Sequence, residues 1–122
     1  MHIPSIQIKR IYDAATIDDG YRVLVDRLWP RGIKKSEARI DEWAKDLAPT
    51  TALRTTYNHQ PEYWEVFQQQ YYAELLNNPL THHFLDKWEN EKQLTLLYAS
   101  KDPRYSHAQV LKKFLDMQYK SR

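Results

Sequence analysis

Asp26, Arg27 and Arg31 crowd into six positions directly after the apolar run Val23-Leu24-Val25, with Trp29, Pro30 and Gly32 shaping the exit. The chemistry open to such a set is recognition of an anion and handling of a proton. Arg presents a rigid fork of donors suited to phosphate or carboxylate, and Asp can orient a hydroxyl or water or take its proton. Pro30 presets one turn torsion and Gly32 permits positive φ, so Pro30-Arg31-Gly32 reads as a tight turn presenting Arg31 outward. A second acid–base pair, Lys101 and Asp102, follows the apolar run Leu94–Ala99. In open α/β sheets ligands bind beyond the carboxyl ends of the strands. If the two runs are parallel neighbours, both clusters meet at one sheet edge, where Arg54 and His59 can complete a pocket. His59 is the candidate proton carrier, because imidazole titrates near neutrality. The expected site therefore has Asp26 and His59 in acid–base roles and Arg27, Arg31, Arg54, Lys101 and Asp102 as ligand-binding residues. A structural alternative stands beside it, in which Asp26 and Arg27 pair with each other, or with Asp46 or Lys45, to hold loops against the sheet.

The elements that must position these residues are legible in the apolar periodicity. Ile6 to Tyr12 alternates apolar and polar residues, as a half-exposed or edge strand does. Val23–Val25 and Leu94–Ala99 are nearly continuous apolar runs, which suits strands buried on both faces. Between the first two strands, Asp13–Tyr21 has room for one short helical turn. That connection is shorter than the dozen or so residues usual for a parallel crossover, so the relative direction of those strands stays open. The middle of the chain reads as helical. Ser36 is placed to cap a helix through about Lys45, and Thr50 or Thr51 a short one carrying Leu53, Arg54 and Tyr57. Pro61 suits the first turn of a helix reaching Asn77, with Trp64, Phe67, Tyr71 and Leu75 on one face. Leu80, Phe84, Leu85 and Trp88 mark a fourth helix, and Ser106 opens a last one with Ala108, Leu111 and Leu115 inward. The expected architecture is a single α/β domain over residues 1–122, a small, mostly parallel sheet of three or four strands flanked by helices.

Composition narrows the function classes. The 122 residues carry 18 basic and 16 acidic side chains, for a formal net charge of +2. That balance argues against a domain living on a phosphate backbone. There is no Cys, so thiolate chemistry and disulfides are excluded and a reducing cytoplasm is compatible. No apolar run is long enough to span a membrane, and Met1–Ser5 lacks the apolar core of a signal peptide. His82, His83 and Asp86 sit at helical spacing without a third or fourth partner pattern, so no metal site is expected. Gly-rich phosphate loops, the Gly-x-Ser-x-Gly elbow and the His-Glu-x-x-His signature are absent from the sequence. No cofactor or oligomeric state is legible. The expected partner is a small anionic ligand at a site that also has the groups for catalysis. The alternative is a non-catalytic module for protein or nucleic acid, using Tyr57, Tyr63, Tyr105 and Arg104.

Asp19 to Gly32 resembles the signature block of the YeaO-like family of bacterial proteins, domain of unknown function 488. Asp41-Glu-Trp-Ala-Lys-Asp-Leu-Ala-Pro49 is similar to its second block. Leu53-Arg54, His59, Pro61, Trp64, Phe67, Tyr71, Glu74-Leu75, Leu97-Tyr98-Ala99, Asp102 and Ala108–Leu111 follow in order. The likeness runs from about Ile8 to Leu115. It implies a compact bacterial α/β protein and assigns no reaction. The matching positions able to form a polar site are Asp26, Arg27, Arg31, Asp46, Arg54, His59 and Asp102. Two departures stand out: Gln70 replaces the usual basic residue before Tyr71, and Tyr105-Ser106-His107-Ala108 replaces a segment that usually carries His-Asn, leaving His107 one residue along.

Overall fold

A computed structural model describes residues 3–122; Met1 and His2, the start of the N-terminal segment, lie outside the described residues. Among the described residues four strands form one sheet: β1 (Ser5–Arg10), β2 (Tyr21–Leu24), β3 (Glu42–Trp43) and β4 (Gln93–Tyr98). Their order is β1-β4-β2-β3, and every pairing is parallel. The alternating strand β1 is an edge, and the continuous apolar strands β2 and β4 are central neighbours, as their patterns require. The helices are α1 (Lys35–Ala38), α2 (Thr51–Tyr57), α3 (Trp64–Asn77), α4 (Thr81–Trp88) and α5 (His107–Lys120).

Period-two alternation divides the sheet into two unlike faces. Ile6, Val23, Leu94, Leu96 and Tyr98 point to the side covered by α2 to α5. There they join Leu53, Phe67, Tyr71, Leu75, Leu85, Trp88, Leu111 and Leu115 in the main core. Leu24 and Leu97 point the other way, into a smaller core with Ile11, Ala38, Trp29, Ile33 and Trp43. On that second face Gln7, Thr95 and Arg22 stand in one row across β1, β4 and β2. Asp19 closes over this row. Its carboxylate accepts from Lys9 Nζ at 3.1 Å, from the Thr16 N–H and hydroxyl, and from Arg22, while its carbonyl accepts from Thr95 Oγ1 at 2.6 Å.

This hub explains the short crossover. β1 and β2 are not neighbours; both flank β4 and run parallel to it. Residues 11–20 return from the carboxyl edge of β1 to the amino edge of β2 almost without helix, in one 3₁₀ turn, Ile17–Asp19. An extended chain covers about 3.3 Å per residue, so ten residues suffice to recross a sheet this narrow. Gly20 then turns into β2 at φ +62°, packed against Gln93.

The helix expected from Ser36 to Lys45 is corrected to the single turn α1. Arg39 enters the left-handed region at φ 51°, and the chain becomes the edge strand β3. Backbone pairing wins over helical periodicity here because partners on β2 are within reach. The Asp41 N–H bonds the Arg22 carbonyl, the Arg22 N–H bonds Asp41 Oδ2, and the Ala44 N–H bonds the Leu24 carbonyl, all at 2.8 Å. Glu42 fastens the strand to α4 by accepting from Tyr21 Oη, Lys87 Nζ and Trp88 Nε1. Those bonds hold its carboxyl below the usual range against the opposing effect of burial. The caps expected at Thr50 and Ser106 are present, accepting from the Leu53 and Ala108 N–H groups. Pro61 opens a 3₁₀ turn, Pro61–Tyr63, that leads into α3.

Two outcomes follow. Burial alone would raise the Asp19 carboxyl, but its bonds from Thr16, Lys9 and Arg22 hold it down at about 2. A folded-state value below the unfolded one stabilises the protein above pH ~4, by about 2 kcal/mol, and the contribution fades as pH falls toward 2. Urea titrations of wild type and Asp19→Asn should therefore diverge at pH 7 and converge only at pH ~2 and below. Equal stabilities at pH 7 would remove Asp19 as the hub. Gly20→Ala should cost more than about 2 kcal/mol, because the added Cβ would sit 2.7 Å from Gln93 Cβ in a backbone region closed to side chains; thermal denaturation measures the loss.

Candidate functional site

Beyond the carboxyl ends of β1, β2 and β4 lies a cleft of about 850 Å³. Asp26, Arg27, Arg31, Arg54, His59, Lys101 and Asp102, the seven residues nominated from the sequence, all line it. Arg10, Ser100, Tyr105 and His107 line it as well.

The floor is built where β2 and β4 leave the sheet. The Val25 N–H bonds the Leu97 carbonyl at 3.0 Å, and one step on the Ala99 N–H bonds Asp26 Oδ2, also at 3.0 Å. Asp26 thus carries the ladder past the last backbone pair. Its carbonyl accepts from Trp43 Nε1 at 2.7 Å. Its other carboxylate oxygen, Oδ1, lies 3.2 Å from His107 Nε2, which is also 3.0 Å from the Val25 carbonyl. Both neighbours are acceptors, so Nε2 carries a hydrogen and Nδ1 is the acceptor of the neutral ring. That hydrogen is directed at the Val25 carbonyl, and Asp26 Oδ1 is buried without a hydrogen bond among the described residues; Ser100 Oγ shares that condition. The imidazole in contact with Asp26 is therefore that of His107. His59, the proton carrier proposed from the sequence, lines the same cleft from just beyond the end of α2. It forms no cap for the Pro61 turn; it is exposed, in the left-handed region at φ 54°, directly after Asn58 at φ 45°.

The basic residues divide into two kinds. Arg27 donates to the Pro49 and Ala48 carbonyls at 2.9 and 3.0 Å, and Arg10 to the Ser100 and Ala99 carbonyls, both at 3.0 Å. Their forks brace the loops while their charge stays at the cleft. The anticipated structural pairing of Asp26 and Arg27 with each other, Asp46 or Lys45 is absent among the described residues. Asp46 is exposed, and its carbonyl accepts from Asn78 Nδ2. Arg31, Arg54 and Lys101 are exposed, and no described carboxylate lies within ion-pair distance of them. Arg31 is presented as its turn predicts. Gly32 has φ +77°, and the loop is pinned by Tyr12 Oη on the Arg31 carbonyl and by Trp29 Nε1 on the Ile33 carbonyl. Asp102 accepts from the Arg104 N–H at 2.9 Å and shapes the following turn. Burial, with Asp102 and Tyr105 nearby, pushes the Tyr57 phenol up, so it stays a neutral group in the cleft wall.

Arg10 and His107 are the site residues that sequence reasoning passed over. Arg10 lies within the run Ile6–Tyr12, whose direction relative to Val23–Val25 the sequence left open, and the parallel pairing of β1 with β4 is what brings it to the cleft. His107 carried its signal in the departure near Ser106, one residue from where the family usually has its His.

The chain matches the family model described as "Inactive DUF488-N3 subclade" over residues 5–122. It belongs to that subclade. It is 44% identical over 111 residues to the uncharacterized protein YeaO of Escherichia coli (strain K12), covering 91% of this chain and 96% of that protein. Uncharacterized proteins of Mycobacterium tuberculosis (strain ATCC 25618 / H37Rv) and Mycobacterium bovis are 39% identical over 111 residues, covering 91% of this chain and 93% of theirs. No solved structure gives a significant match.

A left-handed backbone costs a non-glycine residue about 1 kcal/mol. His59→Gly should therefore raise stability by about 0.5 kcal/mol once the greater freedom of glycine in the unfolded chain is counted. Chemical denaturation checks it; a loss of stability would mean that the imidazole itself holds the fold.

Proposed function

We propose that the protein binds a small anionic ligand, phosphate- or carboxylate-bearing, in the cleft at the carboxyl edge of the sheet. The observation that carries this reading is the local charge. Among the described residues lining the cleft, five are basic and two acidic, a formal +3, whereas the whole chain carries only +2. The positive excess of the molecule is collected in one concavity. Arg31, Arg54 and Lys101 are its uncommitted cations, and Arg31 and Arg54 suit a bidentate grip on phosphate or carboxylate. The amino end of α5, whose first residue His107 lines the cleft, adds a favourable dipole for an anion. Asp102 flanks the ligand beside Lys101.

Binding without turnover is the reading the subclade's description favours. A catalytic reading has one observation of its own, the contact between Asp26 and His107. In it the pair would handle a proton of the bound ligand, with His59 also lining the cleft. Of the residues that motivate a macromolecular ligand, Tyr57 is buried, whereas Tyr63 and Arg104 are exposed.

A ligand bound by the native state alone raises stability by mass action, by about 2.7 kcal/mol at a hundredfold excess over Kd. Thermal-shift titration with inorganic phosphate, sugar phosphates and small carboxylates should raise the Tm of wild type by several degrees. The same titration should have little effect on Arg31→Ala, which keeps its own Tm because Arg31 is exposed and unpaired. Absence of any shift in wild type at low ionic strength would overturn the proposal.

A further inference from the structure

Beside the cleft lies a second chamber of about 380 Å³, and Arg54, Tyr57, His59, Ser100 and His107 line both spaces. A wall held in common means that one molecule can extend from the cations of the cleft into the chamber. Tyr57 and Tyr105, which also line the cleft, are joined in the chamber by Phe67, and these rings belong to one continuous aromatic assembly. Tyr57 stacks on Phe67 with centroids 4.5 Å apart, Trp64 stacks on Phe67 at 5.5 Å, and Tyr105 meets Trp64 edge-on at 5.5 Å. The remaining wall comes from α2 and its end. It presents Thr51, Thr55 and Asn58, whose side chains make no hydrogen bond among the described residues. Aromatic rings together with free amide and hydroxyl groups in one lining suit a flat ring whose face meets the apolar side chains and whose edge or tether meets the polar ones.

We propose that the ligand is a planar aromatic ring tethered to the anionic group, with the ring in the chamber and the anion at Arg31, Arg54 and Lys101. This deepens, and rests on, the anionic-ligand reading given above. The shared chemistry arises in two ways, a ring joined to phosphate through a sugar or a ring bearing the acid directly. Adenosine 5′-monophosphate and phenyl phosphate represent the two.

Affinities of wild type for adenosine 5′-monophosphate, phenyl phosphate, ribose 5-phosphate and inorganic phosphate, followed by amide shifts in NMR, test the proposal. At least one ring-bearing phosphate should bind about tenfold or more tighter than both ringless ones, and whichever of the two gains more identifies the tether. Thr55→Phe fills the chamber from an exposed position on α2. It should erase that tenfold advantage and leave inorganic phosphate unchanged, and Thr51→Phe serves the same purpose should the first variant lose its native melting transition. Arg31→Ala should weaken all four. Equal affinities for ring-bearing and ringless phosphates, with Arg31→Ala still weakening both, would overturn the ring and leave the anion site standing. An advantage that survives both chamber-filling variants would also overturn it. No binding of any of the four would remove the anion site and the ring together.

Discussion

The fold and the cleft meet in one hydrogen bond, from the Ala99 N–H to Asp26 Oδ2. Parallel strands end wherever their last backbone partners run out, and beyond that point neighbouring exits usually splay. Here a carboxylate supplies the next acceptor, so β2 and β4 leave the sheet side by side. The same residue receives Trp43 through its carbonyl and lies against His107 through Oδ1, which ties β3 and the start of α5 to the same point. Four elements are therefore positioned by one residue. The rest of the cleft follows from it: Ser100 and Lys101 continue from Ala99, while Arg27 and Arg31 continue from Asp26.

Charge has two fates in this molecule, and the contrast separates framework from site. On the second face of the sheet Asp19 is 1% exposed and is met by Lys9 and Arg22. A buried carboxylate demands such partners, since desolvation is tolerable only when the charge is paired and hydrogen-bonded. At the carboxyl edge the cations are braced by carbonyls, as Arg10 and Arg27 are, or stand with no carboxylate in range, as Arg31, Arg54 and Lys101 do. Carbonyl bracing fixes a guanidinium without cancelling its charge. Arg10 and Arg27 therefore shape the loops and keep the cleft positive at the same time.

Much of this was legible in the chain because the signals were local. Continuous apolar runs marked β2 and β4 as buried strands, and once they pair as parallel neighbours the residues directly after them emerge at one sheet edge. That is why Asp26, Arg31, Lys101 and Asp102 could be assigned to one place, with Arg54 and His59 arriving from α2. What the sequence hid was decided by long-range pairing. Residues 39–43 carry a helical pattern, yet the edge of β2 recruits them as a strand, an interaction no window of sequence contains. Likewise the short connection left the direction of β1 relative to β2 open, and β4, some seventy residues later, lies between them and runs parallel to both. His107 was obscured for the same reason: its neighbour across space, Asp26, is 81 positions away.

The dual position of Asp26 also bears on why a site with an acid, an imidazole and a hydroxyl belongs to a subclade described as inactive. A general base must be free to change its proton without loosening the scaffold. Asp26 has one oxygen in the extended ladder, and its other faces a histidine whose Nε2 hydrogen goes to the Val25 carbonyl. Protonating that carboxylate would weaken the join between β2 and β4 that forms the cleft floor. The residue that best resembles a catalytic acid is thus the one the architecture can least release. The exposed cations carry no such obligation, and the anion binding proposed for Arg31, Arg54 and Lys101 would leave that floor fixed.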